Sequence, residues 1–197
     1  NAISVAASLA ASFGATAGIS VSGAGAVATN AITGDTQALV TDSGLTSAGA
    51  VTLSASDTSG ISAIVGSASV SLAIGSTAVG LSIGAAAAQN VIGWELGLLG
   101  FATTQNANQV VARLENSSVD AAGALSVTAT SEQTIAAIVV AISGAVAVGL
   151  GSGAVGVSGS GVLTHNAIAV DTLATISGDG SSGIQAGSIA IEASDTS

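Results

Sequence analysis

The chain has 197 residues and a net charge of −10, because eleven acidic residues face a single basic one, Arg113. A protein with one basic residue cannot neutralise a row of phosphates, which excludes nucleic-acid binding and attraction to anionic membrane surfaces. The absence of cysteine excludes disulfides and thiolate chemistry. Hydrophobic residues make up 49% of the chain but aromatic residues only 2%, and 27 glycines are present. Such small side chains bury little area each, so they must pack closely and continuously.

Three long segments with few polar residues recur along the chain, at 2–28, 61–88 and 134–163. Large apolar residues alternate in them with small ones, and this period of two predicts strands. Small residues cluster near the middle of each segment, at 14–18, 75–76 and 149–153. We expect each segment to form two long strands separated by a bend there, because glycine adopts unusual dihedral angles. The alanine run at 85–88 is also compatible with a short helix.

Each long segment ends in one pattern, an asparagine followed by isoleucine two residues later and an acid five residues later. The asparagines are Asn30, Asn90 and Asn166, and the acids are Asp35, Glu95 and Asp171. Stacking of the repeats would align equivalent residues, which predicts an asparagine ladder with amides bonding along the stack. A row of the three acids would offer oxygen ligands to Ca²⁺, the only cofactor that the sequence suggests. The alternative for the acids is a solvated turn.

A second recurring stretch closes each repeat, at 48–56, 122–130 and 186–194. An Ala-Gly pair opens it, and large apolar residues then alternate with small or polar ones. The large pairs are Val51/Leu53, Leu125/Val127 and Ile189/Ile191. We expect a strand with one buried face in each copy, and columns of these large side chains through the core.

One insert interrupts the repeat. Asn30 and Asn90 are 60 residues apart and Asn90 and Asn166 are 76 apart, with the additional residues at about 94–108. The insert is predicted to be a short helix or a protruding loop. Its apolar residues are a possible lateral interface, although a loop folded onto its own repeat is an equal alternative. They are Trp94, Leu96, Leu98, Leu99 and Phe101.

No residues with a catalytic or cofactor-binding pattern stand out, and no enzymatic activity is expected. His165 is the only histidine, and Thr29 and Gln89 occupy its place in the other repeats, which indicates a polar residue at a strand end. Arg113 is expected to pair with a nearby acid, Glu95, Glu115 or Asp120. The Gly-x-Gly runs lack the lysine or the strand-to-helix context of a phosphate loop.

An uncharged stretch at 135–157 is long enough to cross a bilayer. Glycine and serine interrupt it repeatedly, and neither an aromatic belt nor flanking Lys or Arg accompanies it. A membrane partner is therefore not expected, although insertion as a hydrophobic oligomer stays open as an alternative.

The sequence predicts an all-β fold, a parallel β-solenoid or a related stacked-sheet repeat, with three coils of about 60–76 residues and a dry Ala/Val/Gly interior. One repetitive domain is expected over 1–197, with sub-repeats at about 1–59, 60–133 and 134–197. The first and last residues share one phase of the repeat. We therefore expect the array to continue head to tail, in a longer polypeptide or between identical copies.

The acid-Ser/Thr turns, the Ala-Gly strand, the alternating Val/Gly/Ala/Ser runs and the Asn-x-Ile pattern resemble the giant β-strand-repeat surface proteins of bacteria, including leukotoxin-type filamentous adhesins. The resemblance covers nearly the whole chain apart from the insert. It implies a fibrous β-solenoid, extracellular or at the cell surface, without enzymatic activity. The expected function is structural, as a segment of a bacterial filament, stalk or adhesin. A ligand-binding adhesive or ice-binding module is the alternative from another class.

Overall fold

The computed structural model describes residues 1–97, 100 and 102–197, and it is all-β, with no helix among those residues. The described strands, in chain order, are β1 (Ala2–Ile32), β2 (Thr36–Thr41), β3 (Gly44–Ser47), β4 (Val51–Asp57), β5 (Gly60–Ile92), β6 (Trp94–Leu96), β7 (Ala102–Gln105), β8 (Asn108–Glu115), β9 (Ser118–Ser131), β10 (Thr134–Ile168), β11 (Val170–Ser177) and β12 (Ile184–Asp195). The alanine run at 85–88 lies within β5 and is strand.

Three sheets each combine strands from all three predicted sub-repeats. One has the order β1-β5-β10 and another the order β2-β8-β11. In the third, β9 pairs with β12 on one side and with β3 and β4 on the other. The pairs around β8 and β9 are parallel, with one register shift between Ala186 and Ser188 of β12, and Val110 lies between Thr36 and Thr172. In each of these three sheets the strand from the second sub-repeat is therefore central.

The chain forms two compact units, each of which takes one segment from every sub-repeat. The first unit comprises 1–30, 61–90 and 136–166, and the second comprises 31–60, 91–135 and 167–197. Asp, Glu, Lys and Arg are absent from the sequence of the first unit. All eleven acids and Arg113 belong to the second. The repeat thus alternates an uncharged stretch with an acidic one.

The long strands of the first unit reverse direction near their middles. The hydroxyl oxygens of Ser8 and Ser22 are 2.6 Å apart although 14 residues separate them. A straight strand would hold them more than about 40 Å apart. The two halves must therefore run side by side. The reversals fall at the small residues from which the sequence predicts a bend, and in β10 a Cβ on Gly149 would lie only 2.5 Å from the Gly153 carbonyl oxygen.

Small side chains fill most of the interior of the first unit, where Ile61 and Val65 are also buried, and most other large apolar residues point outward. In β5, Ser69, Ser71 and Ala78 are fully buried, whereas Val70 and Ile83 are 44% and 55% exposed. The expected Ala/Val/Gly interior is therefore a Ser/Ala/Gly interior, with most valines outside. The reason is space, because a Cβ on Gly84 would approach the Ile142 carbonyl oxygen to 2.8 Å. At such positions a larger inward side chain has no room.

The second unit has the opposite arrangement, with large apolar residues inside. Its core includes Val110, Leu114, Val119, Leu125 and Val127. The predicted columns are present, because Leu125 lies in register with Val51 and Ile189, and Val127 with Leu53 and Ile191.

The turns after β2, β8 and β11 share one backbone conformation. Thr41, Glu115 and Ser177 are aligned across these strands, and the next residues, Asp42, Asn116 and Gly178, all have positive φ, of 48°, 46° and 71°. Asp, Asn and Gly are the residue types that tolerate the left-handed region. Each sub-repeat thus meets the same backbone requirement with a different residue.

Candidate functional site

The asparagines predicted to form a ladder are joined by hydrogen bonds. Nδ2 of Asn30 donates to Oδ1 of Asn90 over 2.7 Å, and Nδ2 of Asn90 donates to Oδ1 of Asn166 over 2.9 Å. Asn90 is fully buried. The row has a direction, because every amide donates toward the third sub-repeat. An acceptor, Oδ1 of Asn30, therefore lies at one end and a donor, Nδ2 of Asn166, at the other.

A second polar row, built on Gln133, was not recognised in the sequence. Gln133 is buried, and its Nε2 donates to Oδ2 of Asp57 over 2.8 Å. Its Oε1 accepts a longer bond, 3.5 Å, from the hydroxyl of Ser197. Asp57 and Asp195 each accept bonds from the serine two residues later, so two matching turns lie on either side of one amide. The sequence signal for this row was the Asp-Thr-Ser tripeptide at the end of the first and third sub-repeats. The second sub-repeat has Glu-Gln-Thr in its place.

The predicted row of Asp35, Glu95 and Asp171 is not formed. Gln109 is the register partner of Asp171, and its backbone N–H donates to Oδ1 of Asp35 over 2.9 Å. Glu95 lies in β6 and accepts a bond from the Asn106 amide. The insert follows Gly93 directly and carries Glu95 with it, so the residue equivalent to the two aspartates occurs after the insert. Among residues 1–97, 100 and 102–197, no three His, Cys, Asp or Glu side chains are grouped as metal ligands.

The insert forms an antiparallel pair of strands in its described part. β6 pairs with β7, with Trp94 opposite Gln105 and Glu95 opposite Thr104. Leu96 is 40% exposed, while Nε1 of Trp94 is buried without a hydrogen-bond partner among the described residues. Leu98, Leu99 and Phe101, the other members of the possible lateral interface, lie outside the described residues.

The remaining residues that the sequence singled out are at the surface. His165 is exposed near the end of β10. Arg113 forms a 3.9 Å ion pair with Glu115, one of the three partners expected for it, and both side chains are about 40% exposed. An exposed pair of this length contributes little to stability.

Two surfaces are unusual for their chemistry. The first is the apolar outside of the uncharged unit, where Ile3, Leu9, Phe13 and Leu150 are more than 70% exposed. The second is the outer edge of β12, where Ile189 and Ile191 are 53% and 51% exposed although their register partners in β9 are buried. Exposed apolar surfaces of this kind often mark contacts with other molecules.

A comparison with protein-family models finds no match, and comparisons with curated proteins and with solved structures find none either. The resemblance to bacterial β-strand-repeat surface proteins is therefore still a prediction from motifs. No helix in the described part of the chain has the length and hydropathy to cross a membrane.

Proposed function

We propose that this chain is a structural segment of an extracellular bacterial filament, stalk or adhesin. In this proposal the three sub-repeats are coils of a parallel β-solenoid, each about 60–76 residues long, and further coils continue the stack head to tail. The partner is a further copy of the same repeat, in the same polypeptide or in another subunit. The activity is mechanical, since a stack of strands resists stretching and unfolding along its axis.

The observation that carries the proposal is the exposure of apolar core residues on the edge strand β12. Ile191 aligns with Val127 and points to the same side of the sheet, yet Val127 is fully buried and Ile191 is half exposed. β9 has a parallel neighbour on each side, whereas β12 has one only on the side of β9. A further strand paired with β12 would cover Ile191 as β12 covers Val127.

The direction of the asparagine ladder supports the same continuation. Its two ends are complementary, because Nδ2 of Asn166 can donate and Oδ1 of Asn30 can accept. A following coil that presents an asparagine at the position of Asn30 would extend the row without a change of geometry. Ladders of this kind favour in-register stacking, because a slip of one residue breaks every amide bond at once.

Two substitutions on adjacent residues of β12 test the proposal. Ile191→Asp places a carboxylate in the column that the next coil would bury, and a buried unpaired charge is strongly unfavourable. Ala190→Asp adds the same charge to the same edge strand on the opposite side of the sheet. Electron microscopy and light scattering should show axial assemblies for the wild type and for Ala190→Asp, and their loss in Ile191→Asp. Equal assembly of all three proteins, or none by the wild type, would refute axial stacking through this edge.

A further inference from the structure

The first unit has an extended apolar surface that head-to-tail stacking leaves uncovered. It consists of the outward side chains from the first halves of β1, β5 and β10, and we call it the outer face. Eleven of its large residues are at least 41% exposed. They are Ile3, Val5, Leu9, Phe13, Ile64, Val70, Ile138, Val140, Ile142, Val146 and Val148.

We propose that the outer face is a lateral interface that binds the outer face of a second copy of this chain. Charge is the main reason. The second unit carries eleven acids and one arginine, so two copies repel each other wherever those surfaces meet. The first unit carries none of these charges, and it is where two copies can approach without repulsion.

The chemistry of the outer face is less suited to other occupants. Specific interfaces with unrelated proteins are rich in Trp, Tyr and Arg, whereas this face has a single aromatic residue, Phe13, and no Arg. Burial in lipid hydrocarbon would remove water from the outer backbone groups of the edge strands β1 and β10, and unpaired N–H and C=O groups are very costly there. A second copy covers the side chains and leaves those edges available for strand pairing.

The outer face also has the alternation of large and small side chains that sheet-on-sheet packing needs. Isoleucine and valine ridges alternate with positions occupied by small residues, among them Gly66, Ala68 and Gly144. Such a surface can interdigitate with an identical one to form a dry interface. The chain already packs strand against strand inside the first unit, where the Ser69 and Ser82 hydroxyls meet at 2.7 Å.

The area available predicts how pairing depends on the number of repeats. Residues 3–13 extend over about 36 Å and three strands over about 14 Å, which gives about 500 Å² per chain and about 1,000 Å² for a pair. This is near the lower limit for a stable interface. One chain should therefore pair weakly, and two chains joined in tandem far more tightly, because linked sites bind with avidity. The proposal does not depend on axial continuation.

The test uses the absence of cysteine from the chain. Spin labels are attached to Val70→Cys on the outer face and, as a control, to Thr52→Cys on an exposed position of β4. Both substitutions are made in the Ile191→Asp background, so that axial stacking does not contribute. Double electron–electron resonance should give a shorter inter-chain distance for the first label than for the second. The reverse pattern, or no inter-chain distance for either label, would overturn the proposal.

A second set of variants distinguishes pairing through the outer face from non-specific hydrophobic association. A triple variant carries Val70→Thr, Val140→Thr and Val148→Thr. It keeps β-branched side chains, so the strands should be preserved. The dissociation constant of the pair, measured by sedimentation, should rise at least tenfold. Leu39→Thr with Leu173→Thr removes exposed apolar groups from the second unit and should leave pairing unchanged. Equal pairing by both sets would refute the proposal. The proposal would also be refuted if the wild-type chain stayed monomeric in buffer but co-floated with uncharged phosphatidylcholine vesicles in a density gradient, because lipid would then be the occupant.

Discussion

Ser69 and Ser82 lie 13 residues apart in one strand, yet their hydroxyl oxygens are 2.7 Å from each other and both side chains are fully buried. This contact places small polar side chains inside the first unit, and it leaves the intervening Val70 and Val79 on the outside. The usual relation between residue size and burial is therefore reversed at these positions.

The reversal predicts that a larger residue inside will cost more than a smaller residue outside. In Gly84→Ala the added methyl group would lie 2.8 Å from the Ile142 carbonyl oxygen, so the backbone must shift. Overpacking of this kind costs about 1–3 kcal/mol. The adjacent Ile83→Ala removes a side chain that is 55% exposed and should cost under about 1 kcal/mol. Urea unfolding compares the two, and a larger loss of stability in Ile83→Ala would contradict the inward assignment of Gly84.

The asparagine ladder predicts different costs for its middle and its end. Asn90→Ala breaks two hydrogen bonds and leaves a donor on Asn30 and an acceptor on Asn166 without partners. We expect a loss of about 2–4 kcal/mol in the free energy of unfolding. Asn166→Ala breaks one bond at the exposed end of the row and leaves the Nδ2 donor of Asn90 without a partner, so it should cost less, about 1–2 kcal/mol. Thermal or urea unfolding measures both, and a loss in Asn90→Ala no larger than that in Asn166→Ala would contradict the greater contribution of the buried middle of the row.

Gln133 should behave as a structural bridge. Gln133→Leu keeps the bulk but removes the donor to Asp57 and the acceptor of the Ser197 hydroxyl. The expected cost is about 1.5–3 kcal/mol, since the bond to Asp57 involves a charged group. Glu132→Gln alters the exposed neighbouring residue and should be neutral within about 0.5 kcal/mol. Comparable stability of both variants in urea unfolding would show that the amide bridge is dispensable.

The left-handed turn residues predict tolerance of glycine and intolerance of a β-branched residue. Asn116 has a φ of 46°, so Asn116→Gly should change the free energy of unfolding little. Asn116→Val should cost about 1–2 kcal/mol, because a branched Cβ crowds the carbonyl in that conformation. Unfolding curves of the two variants check this difference. Equal stability would show that the turn relaxes to a negative φ.

The repeat and its strands could be predicted from the sequence, because period-two alternation and recurring motifs reflect backbone geometry directly. Asn30, Asn90 and Asn166 could be matched because they recur at the same phase of the repeat. The inner and outer faces of the long segments could not be assigned, because alternation gives the period without saying which side is buried. Deciding that Ser69 is inside and Val70 outside requires the distance between the two halves of the strand, which appears only in three dimensions.

The acid row was predicted wrongly for a related reason. Glu95 matches Asp35 and Asp171 when residues are counted from the preceding asparagine, but the insert begins before Glu95. Strand pairing instead places Gln109 beside both aspartates. Counting along the chain identifies an equivalent position only where no insert intervenes. The Gln133 bridge was missed because its partners, Asp57 and Ser197, belong to the other two sub-repeats.

X-ray fibre diffraction from aligned assemblies of the wild-type chain tests the central claim of axial stacking most directly. Strands stacked along the axis should give a reflection at about 4.7–4.8 Å on the meridian. Ala190→Asp should retain this reflection and Ile191→Asp should lose it. A chain that stays monomeric at every concentration, or assemblies whose strand-spacing reflection lies on the equator, would contradict the claim.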